Sequence, residues 1–219
     1  LPAKLGELLL QLQLLFLAEF QDFQVTQRLP RTELGIGIAG PLQGGIQVWL
    51  GNGKGGWSGD RGPTVHGRYM DVAVADFNGD QHPDILTGGT HRGLRLYFQT
   101  REGRFADAVS PAVKHRDQIV QVATADFDSD GAVDILVGRR RSAEILYNDG
   151  NGAFHRRRVL DYTAADCEGV LPGDFDGDGR QDILLRFPEE PLPLRLFLGR
   201  PEGGFGWEHP LETPPMNAL

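Results

Sequence analysis

Short stretches of alternating apolar and polar positions recur along most of this chain, divided by turn residues. Val72 and Val74 alternate with smaller or polar partners, and so do Val120 and Val122. The stretches 93–98 and 194–198 alternate again. A period of two predicts half-buried β-strands. Ile85-Leu86, Ile135-Leu-Val137 and Ile183-Leu-Leu185 are short continuous apolar runs that end near glycine or arginine. Asn148-Asp-Gly-Asn-Gly152 is a hairpin signal.

These elements repeat. Val72-Ala-Val-Ala-Asp-Phe-Asn-Gly-Asp-Gln-His-Pro-Asp-Ile-Leu86 lines up with Val122 to Leu136 and with Val170 to Leu184. The first aspartates are Asp76, Asp126 and Asp174, so the period is 50 and then 48 residues. Each segment is followed by a second shared stretch (93–98, 144–147 or 194–198), a glycine-rich turn and then Phe105, Phe154 or Phe205. A partial fourth copy, Gly45 to Trp57, keeps the register but has no aspartate cluster before it. A period near 50 with three or four short strands per unit is propeller arithmetic. The predicted fold is all-β: a propeller of about four antiparallel blades, either complete or part of a larger ring. The blades fall at about 31–60, 68–110, 118–160 and 166–209, within a domain spanning 31–209.

The chain ends read differently. Leu5, Leu8, Leu9, Leu12, Leu15 and Phe16 share one helical face, so residues 1–30 are expected to hold a short amphipathic helix. The alternation Leu10-Gln-Leu-Gln-Leu14 supports a degenerate strand instead. Glu7, Gln11 and Gln13 interrupt this stretch, so it reads neither as a membrane span nor as a clean secretory signal. The chain starts at Leu1, as a processed product would. Residues 210–219, with three prolines, read as a flexible tail.

Composition supports an all-β chain: 30 glycines and 14 prolines in 219 residues leave little room for long helices. The net charge of −8 disfavours a general nucleic-acid binder. A single cysteine, Cys167, excludes an internal disulfide framework and a four-cysteine zinc site. It reads as a buried or idle thiol.

The aspartate clusters carry the candidate chemistry. Oxygen-bearing side chains fall at positions 1, 3, 5 and 9 of each loop. They are Asp76, Asn78, Asp80 and Asp84; then Asp126, Asp128, Asp130 and Asp134; then Asp174, Asp176, Asp178 and Asp182. Carboxylates this dense repel one another unless a cation sits among them. Calcium takes six to eight oxygens in flexible geometry, which suits a tight loop. Gly131 and Gly179 stand at position 6, where the chain turns sharply, and Gln81 replaces them in the first loop. The position 7 carbonyl, from His82, Ala132 or Arg180, would complete the shell. An EF-hand is excluded, because position 12 is Thr87, Val137 or Leu185 where that loop needs glutamate. The alternative is a set of Asx turns without metal. Three copies in register favour about three calcium ions, which would bring the formal charge from −8 to −2.

These loops, with the Ile-Leu that follows and the glycine-rich turn before phenylalanine, resemble the FG-GAP/VCBS repeat family, the blades of integrin alpha-subunit propellers and of many secreted bacterial proteins. The resemblance runs from about Thr32 to Phe205. It implies that the three loops are calcium sites and that the setting is extracellular or periplasmic. It implies binding or scaffolding, through protein–protein interaction or adhesion, more often than catalysis. The expectation is therefore a non-enzymatic, calcium-stabilised module with a protein or glycan ligand on a propeller rim, as a homo-oligomer or within a larger assembly. A lectin with sugar sites between blades is the alternative, and a propeller-scaffold enzyme ranks third, because no dyad or triad can be assembled.

Arg139–Arg141, Arg156–Arg158 and Lys114-His-Arg116 are basic clusters that could meet an anionic partner. Local pairing, for instance with Glu144 or Asp161, is the favoured reading. The six histidines form no zinc cluster. Trp49, Tyr97, Tyr147 and Phe197 are expected between blades, and Trp57, Phe105, Phe154 and Phe205 in blade cores.

Overall fold

The computed structural model describes residues 34–38, 46–51, 57–63, 69–89, 93–106, 119–160, 166–201, 204–206 and 209–211. The predicted helix within residues 1–30, residues 212–219 of the predicted 210–219 tail and Lys114-His-Arg116 lie outside them, whereas Pro210 and Leu211 of that tail fall in the last strand. The described residues form four antiparallel meanders in chain order. The first comprises β1 (Leu34–Ile38), β2 (Ile46–Gly51) and β3 (Trp57–Arg61). The second comprises β4 (Tyr69–Ala75), β5 (Asp84–Gly89) and β6 (Gly93–Tyr97). The third has β7 (Ile119–Ala125), β8 (Asp134–Arg139), β9 (Ala143–Tyr147) and β10 (Arg156–Leu160). The fourth has β11 (Gly169–Gly173), β12 (Asp182–Arg186), β13 (Leu194–Phe197) and β14 (His209–Leu211). The first strands of consecutive sheets lie side by side: β1 touches β4, β4 touches β7, and β7 touches β11. The sheets therefore stack as blades do.

Stacking explains why the middle strands read as continuous apolar runs. Every residue of β5 and β8 is buried, because both faces of each sheet are covered. Ile85 joins Ile46, Val48 and Val72 between the first and second sheets. Leu86 faces the other way, with Ile119, Val122 and Ile135 between the second and third. Leu136 and Ile183 meet between the third and fourth. Leu184, with Phe175, Leu194, Leu196 and Leu211, occupies the far face of the fourth. Burial of these side chains, at about 25 cal/mol per Å² of apolar surface, is the main force holding the stack.

Two devices repeat at the interfaces. Phe77 meets Phe154 of the next sheet edge to face, with ring centroids 6.2 Å apart, and Phe127 meets Phe205 in the same way at 6.1 Å. Phe105 packs into the cluster between the first two sheets. These late phenylalanines thus bridge sheets; they are not confined to single-blade cores. Hydrogen bonds add a second tie. Asp71 Oδ2 accepts the Val122 N–H at 2.9 Å, and Gln121 Oε1 accepts the Val170 N–H at 2.8 Å. Both acceptors follow a register shift, between Tyr69 and Asp71 in β4 and between Ile119 and Gln121 in β7. Such a bulge re-aims a side chain out of its own sheet.

One expected equivalence does not hold. Tyr97 pairs with Ile85, and Phe197 with Ile183, but Ile135 pairs with Leu146. Leu146 therefore stands where Tyr97 does. The turns differ: Gly89 pairs with Gly93, whereas Gly138 pairs with Ala143. A slip of one residue moves a side chain to the other face. Tyr147 accordingly packs with Val170 and Phe187 toward the fourth sheet. The side chains of Trp49 and Trp57 lie outside the described residues.

Close approach of sheets requires glycine at one repeated place. A Cβ on Gly138 would lie 2.6 Å from Val170 Cγ1, and one on Gly88 2.6 Å from Ile119 Cγ2. The replacement Gly138→Ala is expected to destabilise the protein by about 1–3 kcal/mol through overpacking, read from the midpoint of a denaturant melt. An unchanged midpoint would show that the two sheets can separate at this point at no energetic expense.

Candidate metal-binding loops

Each aspartate loop joins the first strand of its sheet to the second, and its position 9 residue opens the second strand. Asp84, Asp134 and Asp182 are the first residues of β5, β8 and β12. All three are fully buried, each at 0% exposure. Each uses both carboxylate oxygens in the same way. One accepts the N–H of the position 2 phenylalanine: Phe77 at 2.9 Å, Phe127 at 2.8 Å and Phe175 at 2.8 Å. The other accepts the N–H just past the third strand: Gln99 at 2.9 Å, Asn148 at 2.8 Å and Gly199 at 2.8 Å. Sequence reasoning assigned these residues to a metal shell and missed this clamp.

Positions 1, 3 and 5 lie above the clamp. The position 1 carboxylate gathers the N–H groups of the turn. Asp76 takes Gly79, Asp80 and Gln81 at 2.7–3.2 Å. Asp126 takes Asp130 and Gly131, and Asp174 takes Gly177, Asp178 and Gly179. The position 5 carboxylate accepts the N–H of position 7, from His82, Ala132 or Arg180, each at 2.8 Å. To aim these N–H groups inward, the backbone adopts positive φ at positions 4 and 6. Gly131 and Gly179 do so at 90° and 87°, whereas Gln81 and Ser129 do so at 68° and 62° with a Cβ in the way. The loops are Asx turns shaped by hydrogen bonds from their own backbone.

The side chains also suit a hard cation. Carboxylate oxygens of Asp126, Asp128 and Asp130 lie within 4.8 Å of one another, and those of Asp174, Asp176 and Asp178 do the same. Calcium–oxygen bonds of about 2.3–2.6 Å span that distance. Asp128 Oδ1 is buried without a hydrogen-bond partner, an acceptor with one role unfilled. Cationic side chains already approach these oxygens: Arg156 bonds Asp128 Oδ2, and Arg180 bonds Asp178 Oδ2. The donor set therefore fits calcium. The first loop offers Asp76 and Asp80, with Asn78 Oδ1 accepting the Asp80 N–H at 3.1 Å.

Five arginines of the two described basic clusters form ion pairs. Arg139 is buried against Glu144 at 3.3 Å, and Arg157 reaches the same carboxylate at 3.3 Å. Arg140 and Arg141 both meet Asp166. One arginine of each cluster, Arg139 and Arg157, thus meets Glu144. Cys167 is buried, and burial pushes its thiol up to about 11. That keeps it protonated and unreactive near neutrality.

A family model described as FG-GAP-like repeat matches residues 36–87, 76–137 and 126–185. The chain belongs to the FG-GAP-like repeat family. It is similar to cartilage acidic protein 1 of Homo sapiens, 32% identical over 160 residues, which cover 66% of this chain and 24% of that protein. It is also similar to the Mus musculus protein of that name, 31% identical over 160 residues with the same coverage. The chain thus spans about a quarter of the curated relatives it matches. Among solved structures it is similar to an Agrocybe aegerita lectin described for specific recognition of non-reducing terminal N-acetylglucosamine. The TM-score is 0.63 at 19% identity, covering 88% of this chain and 52% of that one. At that identity the likeness concerns the fold. Successive FG-GAP repeats account for the shared loop and clamp geometry.

Burial, with help from the neighbouring loop carboxylates, pushes Asp84 and Asp134 from 3.8 up to about 6 and raises Asp182 as well, against the pull of their backbone N–H bonds. An acid with a raised folded pKa binds its proton more tightly when folded. Its contribution to stability is present below about pH 4 and is lost as pH rises through 6. Asp149, held low by N–H groups of Asn151 and Ala153, acts with the opposite sign, around pH 4 and below. Calcium-stripped protein is therefore expected to melt higher at pH 5 than at pH 7, and Asp134→Asn should flatten the difference. A melting temperature that falls between pH 7 and pH 5 would contradict the burial of these carboxyls.

Proposed function

We propose that this segment is a calcium-stabilised, non-catalytic binding or scaffolding module of β-propeller type, working outside the cell or in a periplasm. Calcium would be structural, held by Asp126, Asp128 and Asp130, by Asp174, Asp176 and Asp178, and by the weaker set Asp76, Asn78 and Asp80. The position 9 carboxylates and the position 7 carbonyls of His82, Ala132 and Arg180 flank these sets. The observation that carries the reading is the buried, unpartnered Asp128 Oδ1 inside a triad of converging carboxylates. An extracellular setting accords with it, because extracellular calcium modules bind at about 0.1–1 mM. The relatives' name, which places them in cartilage and calls them acidic, points the same way. Among the described residues no helix is long and apolar enough to cross a membrane.

At ten times the dissociation constant each ion would add about 1.4 kcal/mol, and three would add about 4 kcal/mol. For a chain of this size that is a rise of about 8–16 °C in melting temperature. A melt in millimolar calcium, against chelator and a magnesium control, is expected to show this rise for calcium alone. No shift would leave the loops as bare Asx turns.

A second reading has one observation in its favour. A groove of about 490 Å³ lies between the first and second loops, lined by Asp76, Gly79, Asp130, Asn148 and Asp149 among others. Its place between consecutive sheets suits a sugar, and the structural neighbour is a lectin. On a glycan array, calcium-dependent binding of a defined terminal sugar would select the lectin reading; silence across the array would leave protein ligands as the class.

A further inference from the structure

In each loop one carboxylate oxygen is capped by a side-chain N–H. In the first, Asn78 Nδ2 donates to Asp80 Oδ2 at 3.0 Å. In the second the donor is Arg156, on Asp128 Oδ2. In the third it is Arg180, which bonds Asp178 Oδ2 and also donates to the Gly199 carbonyl at 3.3 Å. The consequences for charge differ. Positions 1, 3 and 5 carry two carboxylates in the first loop, because Asn78 is neutral, and three in each of the others. A guanidinium is always protonated. Arg156 and Arg180 therefore bring their loops to the same net charge of two negatives, which matches one divalent cation.

Arg156 is held in place from two sides. It opens β10 directly opposite Tyr147 in the register, and its guanidinium lies 4.0 Å from the centre of the Tyr147 ring. Stacking of this kind positions a cation at little entropic expense. The neighbouring oxygen, Asp128 Oδ1, remains buried and unpartnered. The second loop thus holds a cation on one oxygen of Asp128 while the other still lacks one.

We propose that Arg156 is a resident counter-cation of the second loop: it trims the charge of that loop to suit a divalent ion and competes with the ion for Asp128. Arg180 plays the same part at Asp178. The inference rests on the calcium reading above. Its effect is to level the three loops, lowering the affinity of the carboxylate-rich pair toward that of the first.

Calorimetric calcium titrations of the parent, Arg156→Ala and Arg156→Lys test it. Arg156 is exposed, so both variants should fold. In the alanine variant one site should tighten by about tenfold, since a full charge beside a divalent ion is removed. The lysine variant keeps the charge and should stay within about twofold of the parent. Raising the salt should shrink the alanine effect. An alanine variant with unchanged or weaker sites would overturn the proposal and leave Arg156 as a brace for β10. Equal tightening in both variants would also overturn it, because charge would not be the cause. A parent that takes up no calcium at millimolar concentration sinks the calcium reading and this role together. Failure of the reading therefore shows in the parent, and failure of the arginine role alone shows only between variants.

Discussion

Three buried aspartates hold the loop end of this protein together. Taking a carboxylate out of water is expensive. Asp84, Asp134 and Asp182 offset part of that expense with two backbone N–H bonds each, and charge-assisted bonds of this kind are about twice as strong as neutral ones. Each links the loop, the start of the second strand and the exit of the third strand through one side chain. Remove the carboxylate and two N–H groups are left buried without an acceptor, at about 1–3 kcal/mol each. Because the clamp fixes the position 2 phenylalanine, it also sets the interface: Phe77 and Phe127 are the rings that meet Phe154 and Phe205 of the following sheet.

From that clamp the stack follows. A middle strand that begins with a buried aspartate continues with two apolar residues facing opposite ways, as Ile135 and Leu136 do. In β5 and β8 both faces are apolar because a sheet lies on each side. Glycine near its end lets the next sheet come close, and the bulge in the first strand sends Asp71 or Gln121 across to bond that sheet. Packing and hydrogen bonding thus act between the same pairs of sheets. A single repeat could satisfy neither alone, as expected of an array stabilised by its neighbours.

Much of this was legible in the residues. The repeat period, the strands and the aspartate loops all follow from pattern, because period-two alternation and turn chemistry are local properties. What escaped was non-local. Nothing near Asp71 or Gln121 announces a bond to the next sheet, although both stand five residues before the first aspartate of their loops. Tyr147 looked equivalent to Tyr97 because its neighbours are alike, yet a different pairing across the β8–β9 turn puts Leu146 there. The position 9 aspartates were recognised as special for their spacing. Their burial, which decides what they do, depends on sheets distant in the chain. Pairing of both basic clusters to Glu144 was foreseen only in part, since Arg157 reaches it from another strand.

The Asx-turn geometry of the loops and the proposed binding of a cation do not compete. Inward N–H groups fix positions 1 and 5, so the carboxylates stand close together before any ion arrives, and that proximity is electrostatically strained. The strain shows in two independent ways. Nearby loop carboxylates add to the raised pKa of Asp134, and arginine is drawn onto Asp128 and Asp178. A cation entering such a loop would find its ligands already ordered, so little conformational entropy would be lost and most of the electrostatic gain kept. The weak point is the first loop, where Gln81 strains the turn and Asn78 supplies an amide. There Asp76 gathers three turn N–H groups and Asp84 ties the loop to the sheet.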